Sequence, residues 1–319
     1  MMPASGRKYK VADQAVAASA GMHDLLMRAR AAYAGLAIGD ALGATVEFMT
    51  PREIRHQYGV HRDIIGGGWL RLGKGEITDD TEMSLALGRS VLQQGGVDAA
   101  AVAEAFSDWM RGRPRDVGNT VRRGIMHYRN TGKAESLPND MDAGNGSCMR
   151  TLPVALYTLG ADTGTVVRAS RIQAHVTHNA SIADAGTEKV IELVQLAVMG
   201  ASKDTLAASM DDLVARCPEF RYRDRVINNP SGYIVDTLQV VFDAFLRTAC
   251  FESCLVEVVN RGGDADTTAA IAGMMAGAFY GLDQIPERWL GSVNGTVMNA
   301  CLQQAESLVH MSPACREHG

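Results

Sequence analysis

Apolar residues recur every three or four positions along most of the chain, which is the spacing of α-helices that bury one face. This pattern predicts nine main helices, over residues 26–44, 81–94, 99–110, 120–130, 150–159, 180–199, 233–246, 254–260 and 267–280. Alternation with a period of two, which would indicate β-strands, is scarce. Because strands do not alternate with helices, the pattern argues against Rossmann and TIM-barrel architectures and predicts an all-α fold.

The chain shows no internal repeat, low-complexity tract or shift in composition that would divide it. We therefore predict one domain over residues 26–305, with a flexible leader over residues 1–25 and a tail over residues 306–319. The leader lacks an apolar stretch of the length that a secretory signal requires. Since the sequence also has no apolar run long enough for a membrane span, we expect no direct insertion into a membrane.

Charge and cysteine content narrow the class of protein further. The formal net charge is −5, so no basic excess is present to neutralise a nucleic-acid backbone. Six cysteines in 319 residues form no dense framework, which indicates a reducing compartment and hence the cytoplasm. Cys250 and Cys254 lie one helical turn apart, but no two further soft ligands at matching spacing are evident. We therefore interpret this pair as small buried hydrophobic residues and not as a zinc site.

The first candidate site is Thr78-Asp79-Asp80-Thr81-Glu82, just before an apolar helix. Asp79 and Glu82 have the spacing of a capping pair, and acidic residues stabilise a helix N-terminus, so capping is the plainer interpretation. Two adjacent carboxylates flanked by two hydroxyls nevertheless exceed what a cap requires. Such oxygens are the ligands that hard divalent cations prefer. This cluster alone leaves both interpretations open.

A second acidic cluster, Gly262-Gly263-Asp264-Ala265-Asp266-Thr267-Thr268, also opens a predicted helix. It is not an EF-hand loop, because the sixth and twelfth positions counted from Asp264 are Ala269 and Met275 instead of Gly and Glu. Brought together, the two clusters would supply four carboxylates, which repel one another unless cations lie between them. The pair of clusters therefore indicates a two-metal centre.

Small residues are concentrated in the helix that follows the second cluster. They are Ala269, Ala270, Gly273, Ala276, Gly277 and Ala278. Small side chains let a neighbouring helix approach closely, so we expect this helix in the centre of the bundle. Gly39-Asp40 and Gly43 on the first helix are likewise interpreted as packing positions, with Glu47 beyond them as a candidate site acid.

Three further segments carry polar groups whose role remains open from the residues alone. The glycine-rich turn at 142–150 exposes backbone N–H groups that can bind phosphate, but it matches neither the P-loop nor the dinucleotide fingerprint, and a plain turn into a helix explains it as well. His175 and His178 lie three residues apart without the Glu of a zinc-protease motif, so structural histidines are the simpler interpretation. Asp116, in the polar loop 113–120, either caps the next helix or meets a cationic substrate group.

Taken in order, these elements resemble the ADP-ribosyl-glycohydrolase family, over roughly residues 28–290. The segments that carry the resemblance are GDALG at 39–43, EFM at 47–49, IGGGWL at 65–70, ITDDTEM at 77–83, DVGNT at 116–120, DAGNG at 142–146 with Met149-Arg150, HVTHN at 175–179, GYIVDT at 232–237 and GGDADT at 262–267. Ser147-Cys148 and Ala265 depart from the residues common in the family. Neither departure removes a carboxylate.

The resemblance implies a single compact orthogonal helical bundle with a binuclear centre of Mn²⁺ or Mg²⁺. The metal ligands that it implies are Thr78, Asp79, Asp80, Asp264, Asp266 and Thr267. The implied catalytic residues are Asp79, Asp116, Glu47 and Asp142. The implied ADP-ribose contacts are Asn119, Thr120, Asp140, Gly144, Asn145, Gly146, His178 and Tyr233.

By this resemblance the enzyme hydrolyses the bond between the anomeric carbon of ribose and an arginine nitrogen, through an oxocarbenium-like state. Asp116 would hold the guanidinium, and the choice of general base among Glu47, Asp79 and other site carboxylates stays open. The alternatives are a relative acting on serine-linked or free ADP-ribose, and a module that only binds ADP-ribose. Retention of all four aspartates argues against the last.

The resemblance also implies partners. The substrate would be the ADP-ribosylated iron protein of nitrogenase. A PII-type nitrogen-signalling protein would control the enzyme and recruit it to a membrane ammonium channel. We further expect a monomer.

Overall fold

The computed structural model describes residues 21–316, and within that range the chain is helical without a β-sheet. The prediction of an all-α fold is thus confirmed. The described residues form sixteen α-helices: α1 (Met22–Gly43), α2 (Pro51–Tyr58), α3 (Asp79–Gln94), α4 (Ala99–Arg111), α5 (Asn119–Thr131), α6 (Gly146–Met149), α7 (Leu152–Tyr157), α8 (Thr163–Ala174), α9 (Ser181–Val198), α10 (Lys203–Arg216), α11 (Ile234–Arg247), α12 (Phe251–Val259), α13 (Ala265–Tyr280), α14 (Glu287–Leu290), α15 (Gly295–Met311) and α16 (Pro313–Arg316).

The nine predicted helices all exist, with boundaries shifted by up to four residues. The sequence pattern did not predict α2, α8, α10 and α15, nor the three short helices α6, α14 and α16. Helix α2 buries only Ile54, so it has no apolar face to recognise. Its signal is instead the capping box that Thr50 and Glu53 form around Pro51.

The ends of the chain bear on the predicted domain limits. Helix α15 continues to Met311 and buries Leu308 and Val309, beyond the expected domain end at residue 305. Residues 1–20 of the expected leader lie outside the described residues. No helix within residues 21–316 combines the length and the apolar character needed to cross a membrane.

Helices α1 and α13 form the centre of the bundle and pack against each other almost backbone to backbone. A Cβ atom added to Gly35 would lie 2.1 Å from the carbonyl oxygen of Gly273, and one added to Gly39 would lie 2.0 Å from that of Ala269. Nearly all of α13, from Ala265 to Ala278, is buried. The expectation that the small-residue helix is central is therefore confirmed. This contact brings the acidic start of α13 beside the carboxyl end of α1.

We expect Gly39→Ala to destabilise the protein, because the added methyl group would overlap a helix backbone that cannot move aside. Overpacking of this kind costs about 1–3 kcal/mol, measurable as a lower free energy of unfolding in denaturant. Gly295→Ala is the control, since a Cβ atom there meets nothing within 4 Å. Equal stability of the Gly39 variant and the wild type would show that the two helices can separate freely.

Candidate functional site

A carboxylate from α1 organises the N-terminus of α3. Asp40 is fully buried and accepts hydrogen bonds from the backbone N–H of Thr78 (2.9 Å) and of Thr81 (3.1 Å). It also accepts bonds from both threonine hydroxyls, at 2.9 and 2.5 Å. The capping interpretation of the first acidic cluster was therefore incomplete, because the cap comes from another helix. Because Asp40 accepts from these backbone N–H groups, Asp79 and Asp80 are not needed to cap α3.

Sequence reasoning did not assign Asp40 this role. The available signal was a charged residue inside an otherwise apolar, glycine-rich helix, which must find a partner when it is buried.

Two glycines in left-handed conformation turn the chain into α13. Gly262 and Gly263 both have φ of +69°, and a Cβ atom on either would lie 2.1 Å from a carbonyl oxygen. Gly263 donates its N–H to Met49 O at 2.9 Å, and its carbonyl accepts from Phe48 N–H at 2.7 Å. The turn thus ties the start of α13 to the loop that carries Glu47.

These two helix starts and the Glu47 loop bring the predicted acids together. Carboxylate oxygens of Glu47, Asp264 and Asp266 all lie within 4.8 Å of one another. The hydroxyl of Thr267 lies 3.3 Å from Asp80 Oδ2 and joins the two clusters. Glu47, the candidate site acid of the sequence analysis, is thus part of the acidic group. Trp69, whose Nε1–H donates to Glu47 Oε2 at 2.5 Å, is a further site residue that we did not single out.

Burial makes this group of carboxylates hard to ionise. Loss of hydration is the largest effect that raises the pKa of Asp79, Asp80 and Asp266, and the neighbouring carboxylates raise it further. The same effect raises the pKa of Glu47 to about 8 and that of Asp40 to about 6. Carboxylates so placed are stabilised in their charged form by a cation among them.

The donor set fits a hard divalent cation. Asp80 Oδ1 is buried without a hydrogen-bond partner among the described residues, although a carboxylate oxygen there requires one. Its neighbours are carboxylates and threonine hydroxyls, and oxygen ligands of this kind suit Mn²⁺ or Mg²⁺ better than zinc. The acidic group could therefore hold a metal ion.

A second feature, the cradle formed by the backbone of residues 142–146 and 232–234, lies beside the acids. Asn145 N–H donates to Gly232 O at 2.9 Å, and Ile234 N–H donates to Ala143 O at 3.0 Å, so the glycine-rich turn is held against the segment that carries Tyr233. Asn145 Nδ2 donates to Asp264 Oδ2 at 2.5 Å, which links the cradle to the acidic group.

The remaining cradle residues differ in exposure. His178 is buried directly beneath the turn, Tyr233 is 40% exposed at its edge, and Asp140 is exposed. Asp142 is buried and forms an ion pair with Arg123.

The loop that carries Asp116 also lies next to Asp79. The backbone of Gly118 opposes the rise in the pKa of Asp79, so the loop lies next to the acidic group. The N-cap of α5 is Gly118 and has no side-chain cap, so Asp116 does not cap that helix. Asp116 is half-buried and lines a cavity of about 160 Å³ together with Asp79 and Glu82. Asn119 is exposed and Thr120 is half-buried at the start of α5.

The two histidines of the 175–179 segment have different surroundings. His175 Nε2 lies 3.0 Å from Asp184 Oδ2, and this hydrogen bond raises the pKa of His175. The structural interpretation therefore holds for His175. His178 faces the cradle.

Comparisons with known proteins agree with this geometry. A family profile described as ADP-ribosylglycohydrolase matches residues 22–317. The ADP-ribosyl-[dinitrogen reductase] glycohydrolase of Rhodospirillum rubrum is 47% identical over 91% of this chain and 97% of its own length. The ADP-ribosylarginine hydrolase Tri1 of Pseudomonas putida is 36% identical over 84% of this chain and 74% of its own length. A solved structure described as an ADP-ribosylglycohydrolase-related protein complex superposes with a TM-score of 0.81 and 33% identity, covering 91% of this chain and 99% of that one.

Proposed function

The chain belongs to the ADP-ribosylglycohydrolase family, and on that premise we propose that it removes ADP-ribose from an arginine side chain of dinitrogenase reductase, the iron protein of nitrogenase. The observation that carries the proposal is the position of the acidic group between a backbone cradle and a small cavity lined by further carboxylates. The cradle suits a nucleotide, and the cavity suits a guanidinium. The 47% identical relative, named for action on dinitrogen reductase, supports the choice of protein substrate.

We assign the metal-binding role to both helix starts. The proposed ligands of two Mn²⁺ or Mg²⁺ ions are Thr78, Asp79, Asp80, Asp264, Asp266 and Thr267. When bound, such ions orient the ribose hydroxyls and lower the pKa of water near the anomeric carbon.

Glu47 is our candidate for the general base. The indole of Trp69 fixes one of its oxygens, and a carboxylate oxygen of Glu47 lies within 4.8 Å of oxygens of Asp264 and Asp266. From there it can accept the proton of the attacking water. The ADP-ribose part of the substrate would occupy the cradle. Its proposed contacts are Asn119, Thr120, Asp140, Gly144, Asn145, Gly146, His178 and Tyr233. Asp142, the remaining proposed catalytic residue, belongs to the same loop.

The cavity beside Asp79 is our candidate for the arginine subsite. Asp116 and Glu82 offer carboxylates to a cation, while Leu72 and Val297 supply apolar surface for an aliphatic stem. Arg115, which also lines the cavity, is already paired with Glu76 at 2.6 Å. It therefore leaves Asp116 available to the substrate.

The test is release of ADP-ribose from arginine-modified and from serine-modified protein, each with Mn²⁺ and after chelation. We expect release from the arginine conjugate with Mn²⁺ only. Equal release from the serine conjugate would instead support the alternative substrate class, and binding of ADP-ribose without release from either would support a binding module.

We also propose the regulatory partners that the family resemblance implies: a PII-type signalling protein that recruits a cytoplasmic, monomeric enzyme to a membrane ammonium channel. Co-purification with PII should depend on nucleotide and ammonium. Failure to co-purify under every such condition would contradict this partner.

A further inference from the structure

Three buried side chains behind the cradle contact one another in succession. Arg150, Thr177 and His178 have exposed fractions of 0%, 1% and 2%. Arg150 Nη2 donates to Thr177 Oγ1 at 2.7 Å, and the same hydroxyl lies 2.8 Å from His178 Nδ1. Arg150 is held in turn by Gln173, which accepts from Nε at 3.0 Å, and by the ring of Phe106, 4.4 Å from the guanidinium carbon. The guanidinium cannot rotate away without breaking these contacts.

The chemistry of the three groups determines where each proton lies. A guanidinium only donates, so Thr177 Oγ1 must accept from Arg150. The hydroxyl has one proton to give, and His178 Nδ1 is the acceptor within reach among residues 21–316. If Nδ1 carried a proton instead, both Arg150 and His178 would donate to the threonine oxygen. The proton of the buried hydroxyl would then have no acceptor, which is costly. Nδ1 is therefore the lone-pair nitrogen.

A protonated imidazole does not fit this position either. Burial lowers the pKa of His178 well below its usual range, and the positive charge of Arg150 lowers it further. The ring is neutral, and its remaining proton lies on Nε2.

The Nε2 atom faces the cradle. A Cβ atom added to Gly146 would lie 3.0 Å from Nε2, and one added to Gly144 would lie 3.2 Å from it. Both glycines thus leave room for the ring directly under the turn. No hydrogen-bond partner of Nε2 is found in the described part of the chain.

We propose that Arg150 is a positioning residue, which through Thr177 holds His178 as the neutral Nε2–H tautomer, so that the ring presents a donor to an acceptor oxygen of ADP-ribose in the cradle. The ligand half of this inference rests on the proposed function. The tautomer half does not, because it is a property of the free protein.

The first experiment reads the tautomer directly, by ¹⁵N NMR of protein labelled at histidine, with His178→Gln to assign the signal. In the free wild type we expect an unprotonated Nδ1 and a protonated Nε2 at neutral pH. A protonated Nδ1, or an imidazolium, would overturn the proposal, and this measurement on the wild type needs no substitution of Arg150 or Thr177.

Two variants then break the relay at different points. Thr177→Val removes the hydroxyl, and Arg150→Met removes the donor but leaves the hydroxyl free to accept from Nδ1. Arg150→Met should therefore let the Nδ1–H form become populated, and Thr177→Val should leave neither tautomer fixed by a hydrogen bond at Nδ1. Each should weaken ADP-ribose binding, measured by calorimetry, by roughly three- to tenfold, the effect of one neutral hydrogen bond.

Thr177→Ser is the matched control, since it keeps the hydroxyl and should restore both the tautomer and the affinity. An unchanged tautomer in both Arg150→Met and Thr177→Val, or a loss of affinity in Thr177→Ser as large as that in Thr177→Val, would contradict the relay. If the wild type shows the Nε2–H form but does not bind ADP-ribose, the proposed function and the ligand half of the inference fail together, while the tautomer half stands.

Discussion

Asp266→Asn is expected to abolish metal-dependent release of ADP-ribose. Residues that merely support metal ligands typically cost roughly 10–100-fold in metal affinity or activity when replaced, and Asp266 is proposed as a ligand itself, so its loss should exceed that range. The substitution keeps an oxygen that can accept from Thr267 N–H, now bonded to Asp266 Oδ1 at 2.9 Å. Local structure should therefore survive. The measurements are turnover on arginine-linked substrate and Mn²⁺ binding by calorimetry.

Stability separates loss of a ligand from loss of the fold. In chelator, Asp266→Asn should be at least as stable as the wild type, because it removes one of several mutually repelling carboxylates. Mn²⁺ should stabilise the wild type, by roughly 2.7 kcal/mol at a free concentration of 100 times Kd, but not Asp266→Asn. Asp283→Asn, at an exposed position away from the site, is the control and should behave as the wild type. A variant that keeps full activity in chelator would contradict the metal centre.

The metal-free wild type should also respond to pH in a defined direction. Asp40 and Glu47 have folded-state pKa values of about 6 and about 8, above the ordinary values of 3.8 and 4.5. The folded state therefore binds more protons than the unfolded state between roughly pH 4 and pH 8, and stability falls as pH rises through that range. Added Mn²⁺ should flatten this dependence.

The site shows which features a sequence reveals. Two acidic helix starts with flanking threonines are local patterns that the sequence displays directly. If the two starts meet, cations must lie between them, because the carboxylates would otherwise repel one another. The partner that makes this possible, Asp40, is separated from Thr78 by 38 residues, and only the three-dimensional packing of α1 against α3 shows why it is buried. Local periodicity carries no information about such a contact.

The fold shows a similar limit. The strongly apolar helices were predicted because burial leaves a periodic pattern. Helix α2 buries one residue and begins with a capping box, so periodicity could not find it. The glycines of α13 indicated close packing, but their partner, the glycine face of α1, could be identified only from the structure.

Asp116→Asn is expected to lower turnover on arginine-linked substrate by roughly ten- to a hundredfold, the value of a charge-assisted hydrogen bond, while affinity for ADP-ribose itself changes little. Asparagine keeps the shape of the side chain but loses the charge that matches a guanidinium in sign and geometry. Asp98→Asn is the matched control: Asp98 caps α4 by accepting from Ala101 N–H at 2.9 Å, and asparagine caps a helix comparably. Turnover and ADP-ribose affinity, measured on both variants, separate the roles. If Asp116→Asn turns over arginine-linked substrate as fast as Asp98→Asn does, Asp116 does not hold the guanidinium. If it loses ADP-ribose affinity to the same extent as turnover, its role lies in nucleotide binding instead of arginine selectivity.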